Sequence, residues 1–155
     1  MKKWFLFTIT IGFATYWLSN LILWFPWSYS TTLGITLMMT LAPILWAYST
    51  FLTLRTYPNS NLFKGTLIVS LSFLSLAVVL DYIFFGIIRN AMEELYHPTT
   101  FYGYGFLIFW PFVLALIFRN KNLSYKRIVK VSDFYKAILT GIISFGVLSL
   151  IIILE

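Results

Sequence analysis

Apolar residues along this chain come in long blocks rather than in the short periodic stripes of a soluble protein. Five blocks stand out, at 4–25, 31–54, 65–88, 101–118 and 134–154. Each is about 20 residues long, which at ~1.5 Å of rise per residue carries a helix across ~30 Å of hydrocarbon. Membrane strands would show alternation over segments of roughly ten residues, and none is present. The pattern predicts an all-α membrane protein: a bundle of five transmembrane helices forming a single domain over 1–155.

Turn chemistry separates the blocks. Pro26 is expected to close the first span, Tyr57-Pro58-Asn59-Ser60 to turn between the second and third, and His97-Pro98-Thr99-Thr100 to precede the fourth. Pro43 and Pro111 fall inside spans, where each leaves a carbonyl one turn earlier, at Met39 and Leu107, without its N–H partner. Met1-Lys2-Lys3 imitates the start of a signal peptide, but the apolar run that follows is too long and lacks a cleavage site, so it reads as an uncleaved span. Good helix formers follow the third block, so its helix is expected to continue to about Tyr96.

Composition sharpens the class. With 60% hydrophobic and 10% charged residues and a mean hydropathy of +0.87, the chain lacks the polar surface of a soluble domain. The absence of cysteine excludes disulfides, thiolate metal sites and cysteine nucleophiles. The net charge of +6 reflects topology rather than nucleic-acid binding, because ten of the eleven basic residues fall on one side of the five-span arrangement. These are Lys2, Lys3, Arg55, Lys64, Arg119, Lys121, Lys126, Arg127, Lys130 and Lys136, against Arg89 alone on the other side. The positive-inside rule then puts the N-terminus and the basic loop 119–133 in the cytoplasm and the C-terminus outside, in a plasma membrane of the bacterial inner-membrane kind.

Aromatic residues sit at the predicted edges: Trp24, Trp27 and Tyr29, then Tyr96 and Tyr102, outside; Tyr57, Tyr125, Phe134 and Tyr135 inside. Segment 125–130 is amphipathic, with Tyr125, Ile128 and Val129 on one side and Lys126, Arg127 and Lys130 on the other. Those three cations are expected to contact lipid headgroups, each gaining ~1 kcal/mol from anionic lipid.

Asp81 is the single charged residue well inside a span. It lies ~12 Å of helix rise below Arg89, in the outer third of the membrane. A carboxylate at that depth costs up to ~2.5–3.5 kcal/mol, so it is either a working group (proton carrier, cation ligand or substrate anchor) or a structural hydrogen-bond partner for another helix. The two readings weigh equally. Ser70, Ala77 and Asp81 share one helical face, expected to look into the bundle. Asn20, Thr36, Tyr102, Tyr104 and Ser149 fall in the same outer half, which points to an outward-facing polar cluster for ligand binding or ion coupling. Above it, Arg89, Glu93, Glu94 and His97 would share a helix end, with Arg89 and Glu93 paired at i,i+4. Glu94-x-x-His97 has the spacing used in di-iron bundles, which need it twice, so no metal site, cofactor or catalytic residue is assigned.

No nucleotide-binding, serine-hydrolase or zinc-protease motif occurs. The leading expectation is a non-enzymatic membrane protein that binds a partner or ligand within the bilayer. Its partners would be lipid, another membrane protein or a second copy of itself, and not nucleic acid. A transporter or channel subunit using Asp81 is the alternative, and a lipid-active enzyme the third. In span number, length and aromatic content the chain resembles the tryptophan-rich sensory (translocator) proteins, though the proline- and tryptophan-bearing motifs of that family are not matched at Trp17, Trp24, Trp27, Trp46 or Trp110. That resemblance carries over no site residue.

Overall fold

A computed structural model describes residues 1–118 and 128–154. The described residues are helical nearly throughout, and five helices are long and apolar enough to cross a membrane. They are α1 (Lys2–Tyr29), α2 (Thr31–Arg55), α3 (Leu62–Asp81), α4 (Pro98–Phe118) and α5 (Val131–Leu154). A π-helical segment, Tyr82–Ile88, prolongs α3, and a 3-10 turn, Met92–Tyr96, leads to α4. The two prolines expected to interrupt spans two and four are absorbed within continuous helices. Pro26 does not close α1 as expected: the helix runs on to Tyr29, and the N–H of Ser30 returns to the Pro26 carbonyl at 3.0 Å. Pro26 lies in the last turn, so its missing N–H frees the Ile22 carbonyl but interrupts a helix with only three residues left to run.

α1 is the hub. It packs most extensively on α5 and α2 and also touches α3, while α3 pairs with α4. Its buried residues, among them Trp4, Phe7, Thr8, Ile11, Gly12, Thr15, Tyr16, Trp17 and Ser19, cover more than one face, as a central helix requires. Small residues set the approach of its neighbours. A Cβ on Gly12 would meet the Phe73 ring of α3 at 3.0 Å, and one on Gly141 of α5 would meet Phe13 at 2.7 Å and the Ala14 backbone at 3.2 Å. Close backbone approach through small residues is how helices gain packing contact along their length.

Side-chain contacts show that successive helices alternate in direction. Phe7 meets Phe134, Tyr16 meets Asp81, Trp46 meets Phe73 and Phe63 meets Phe112. One end of the bundle therefore carries the start of α1, the α2–α3 turn and the start of α5, and with them Lys2, Lys3, Arg55, Lys64, Lys130 and Lys136. Arg89 lies at the opposite end. Tyr57 stands at the basic end, in the α2–α3 turn, with its ring buried between Trp4 at 4.7 Å and the flat face of Gly65. One edge expectation needs correction. Ile128 and Val129 do not share a face, since Ile128 is 83% exposed while Val129 is buried, and neither is helical. Lys126 and Arg127, with the rest of 119–127, lie outside the described residues; Lys130 is exposed just before α5.

The helix expected to reach Tyr96 stops after Ile88. The π register widens the last turns, so that the N–H of Arg89 reaches the Phe84 carbonyl at 2.9 Å. Asn90 then takes a left-handed conformation (φ 50°), and the N–H of Ala91 folds back to the Phe85 carbonyl at 2.8 Å. Asparagine tolerates this conformation better than most residues, which is why propensity alone misses the stop.

Candidate functional site

Asp81 ends α3 just before the π segment and is 9% exposed. Its Oδ1 accepts a hydrogen bond of 2.5 Å from the phenol of Tyr16, which is buried on α1. Tyr104 of α4, half-buried, brings a second phenol close enough to interact with the same carboxylate. Three helices thus meet on one acid. Asn20, one turn above Tyr16, donates to the Tyr16 carbonyl at 3.1 Å and lies within reach of its phenol. The surroundings are aromatic: Trp17 stands edge-on to Tyr16 at 5.1 Å and to Phe84 at 6.0 Å.

Above this knot, Arg89 is held on three sides. Its guanidinium lies 4.6 Å over the Trp24 ring and 5.6 Å from Phe85, and its Nη1 pairs with Glu94 at 2.6 Å. The expected partner was Glu93. With the helix broken at Asn90, Glu93 turns outward and Glu94 takes the arginine instead.

Of the sequence-chosen residues, Asp81, Asn20 and Tyr104 converge, and Arg89 with Glu94 caps them. The others do not join. Tyr102 is 73% exposed, and Thr36 is exposed with its hydroxyl spent on the Thr32 carbonyl at 2.8 Å. Ser149 is half-buried on α5. His97 sits at the start of α4, where its Nδ1 accepts the Thr99 N–H at 3.4 Å and meets the Thr99 hydroxyl at 2.8 Å, as a helix N-cap does. Among the described residues no three His, Cys, Asp or Glu side chains gather as a metal site would require. Tyr16 was not singled out, although its place four residues below Asn20 put it on the same helix face.

Sequence reasoning also missed a groove. α2 and α5 pack on α1 rather than on each other, leaving a cavity of about 320 Å³ with α1 as its floor. Phe7, Ile11, Thr15 and Leu18 form the floor, Leu45 to Thr56 one wall, and Asp133 to Thr140 the other. The floor hydroxyls are consumed inside the protein. Thr15 gives its proton to the Ile11 carbonyl at 2.8 Å, so Ser49 supplies the proton of their mutual 2.5 Å contact. What faces the groove is mostly hydrocarbon, with Asp133, Lys136 and Thr56 at the basic end of the bundle. No family model, curated protein or solved structure matches this chain.

Proposed function

We propose that this chain is a non-enzymatic, multi-pass protein of a bacterial inner membrane that binds a ligand from within the bilayer, in the groove between α2 and α5. The N-terminus and the basic end would face the cytoplasm and the C-terminus the outside, because basic residues are retained on the cytoplasmic side. The groove carries the reading. It is concave, predominantly apolar with its charged groups at one end and a few hydroxyls along its length, and at the small end of the size range of ligand sites. It opens sideways, toward lipid in a spanning bundle.

The Asp81 knot has a different part. A carboxylate that accepts one phenol, lies in reach of a second and sits among aromatic rings is an inter-helix fastener, and it keeps α1, α3 and α4 in register behind the groove floor. Transport through Asp81 is the second reading, favoured by one observation: the acid directly precedes a π segment, a rare element that recurs at functional sites. Proton or cation flux in liposomes, lost on Asp81→Asn, would put that reading first.

Photo-crosslinking tests the proposal. A photoreactive residue at Thr140, inside the groove, should acquire a discrete small-molecule adduct in detergent-purified protein, while one at Leu139, exposed beside it, should not. Equal labelling at both positions, or none at either, would refute the groove as a ligand seat.

A further inference from the structure

We infer that the groove takes one acyl chain of a glycerophospholipid whose phosphate rests on Lys136; this builds on the groove being the ligand seat. Length is the first argument. From Phe7 to Leu18 on α1, and equally from Leu45 to Thr56 on α2, the lining spans ~16 Å of helix rise. That is about half of a ~30 Å hydrocarbon layer, the depth of one leaflet. A peptide or a second helix would have no reason to stop there, whereas a lipid tail ends at the bilayer midplane.

Polarity along the groove is the second argument. At the deep end stand Leu18 and Leu45; at the mouth stand Thr56, Asp133 and Lys136. Between them the Thr15–Ser49 pair is satisfied internally, so a chain of methylenes loses no hydrogen bond by lying on it. Tyr48 and Thr140 add hydroxyls to the walls, but the charged groups stand only at the mouth, as for a lipid in the leaflet on the basic side.

Charge is the third. Lys136 is exposed at the mouth and has no ion-pair partner among the described residues. Asp133, one turn earlier, is committed to the first turn of α5, where its Oδ2 accepts the Lys130 N–H at 2.9 Å. The lysine is therefore the lining's cation for a phosphodiester. A basic residue near an anionic membrane surface gains ~1 kcal/mol, which corresponds to about fivefold in affinity.

The delipidated full chain in detergent, titrated with dioleoylphosphatidylglycerol or with dioleoylglycerol, separates tail from phosphate, with bound lipid counted by native mass spectrometry. One phospholipid per chain is expected to bind about fivefold more tightly than the diacylglycerol. Lys136→Gln should erase that preference, Lys2→Gln should keep it, and Thr140→Trp, at an exposed groove position that tolerates bulk, should remove both lipids. A preference that survives Lys136→Gln overturns the phosphate assignment and leaves the groove reading standing. Undiminished binding by a Thr140→Trp chain of wild-type helix content overturns the groove reading, and this inference with it. Wild-type chain that binds neither lipid, or many copies of both without preference, overturns the inference as well.

Discussion

Ser70 of α3 lies opposite the gap that Pro111 opens in α4. Its hydroxyl donates to the Ile108 carbonyl at 2.9 Å and stands 3.5 Å from that of Leu107, the group Pro111 leaves without an N–H. The hydroxyl has one proton and gives it to Ile108, so the Leu107 carbonyl keeps a longer contact with the same oxygen; a polar group of the neighbouring helix at the gap is what makes proline tolerable there. Removing the donor by Ser70→Ala should cost about 1 kcal/mol in SDS unfolding of the reconstituted protein. In a Pro111→Ala background, where the backbone pairs its own carbonyl, the same change should cost measurably less. Equal costs in both backgrounds would show that the two residues are not coupled.

Tyr16 and Asp81 form the tighter tie. Tyr16→Phe leaves the acid with Tyr104 alone, and a loss of about 1–2 kcal/mol is expected. Tyr104→Phe should cost less, since Tyr104 is only half-buried and water can replace it. Asp81→Leu strands both phenols and should be the most harmful of the three. Unfolding midpoints in the order Asp81→Leu, Tyr16→Phe, Tyr104→Phe, lowest first, would bear this out; a reversed order of the two tyrosines would not.

At Asn90 the left-handed backbone makes a local test. Asn90→Gly should be neutral or mildly stabilising, and Asn90→Val should cost about 1–2 kcal/mol, because a β-branched residue resists positive φ. Limited proteolysis of 89–97 reads the effect directly: the valine variant should be cut faster and the glycine variant should not.

Gly141 sets the distance between α1 and α5. Leucine there would meet the Ala14 backbone, which cannot rotate away as Phe13 can. Gly141→Leu should therefore loosen α5, and crosslinking between cysteines placed at Phe7 and Phe134, whose rings lie 5.6 Å apart, should fall sharply from its level in the parent pair.

Helix positions were legible because length and hydropathy decide them: the apolar blocks at 31–54 and 134–154 became Thr31–Arg55 and Val131–Leu154. Asp81, Asn20 and Tyr104 were legible as a group because height along the bundle follows from residue count. Tyr16 was not, since an aromatic residue inside a span looks like any other until its hydroxyl finds a partner. The stop at Asn90 depends on a π register that no local propensity encodes. The groove exists because α2 and α5 each choose α1, a tertiary fact with no signature in either helix. His97, expected at the exposed end of the third helix, instead caps the next one, because Pro98 begins a helix whose first N–H groups need acceptors.

Division of labour between the Asp81 knot and the groove is the central claim, and one paired measurement tests it. Ligand retained through purification and resistance to SDS unfolding would be read together for Asp81→Asn and Thr140→Trp. Asp81→Asn should unfold more easily and keep its ligand, whereas Thr140→Trp should keep its stability and lose the ligand. An Asp81→Asn chain as stable as wild type but empty of ligand, beside a Thr140→Trp chain that still binds, would contradict the claim and move the working site to the acid.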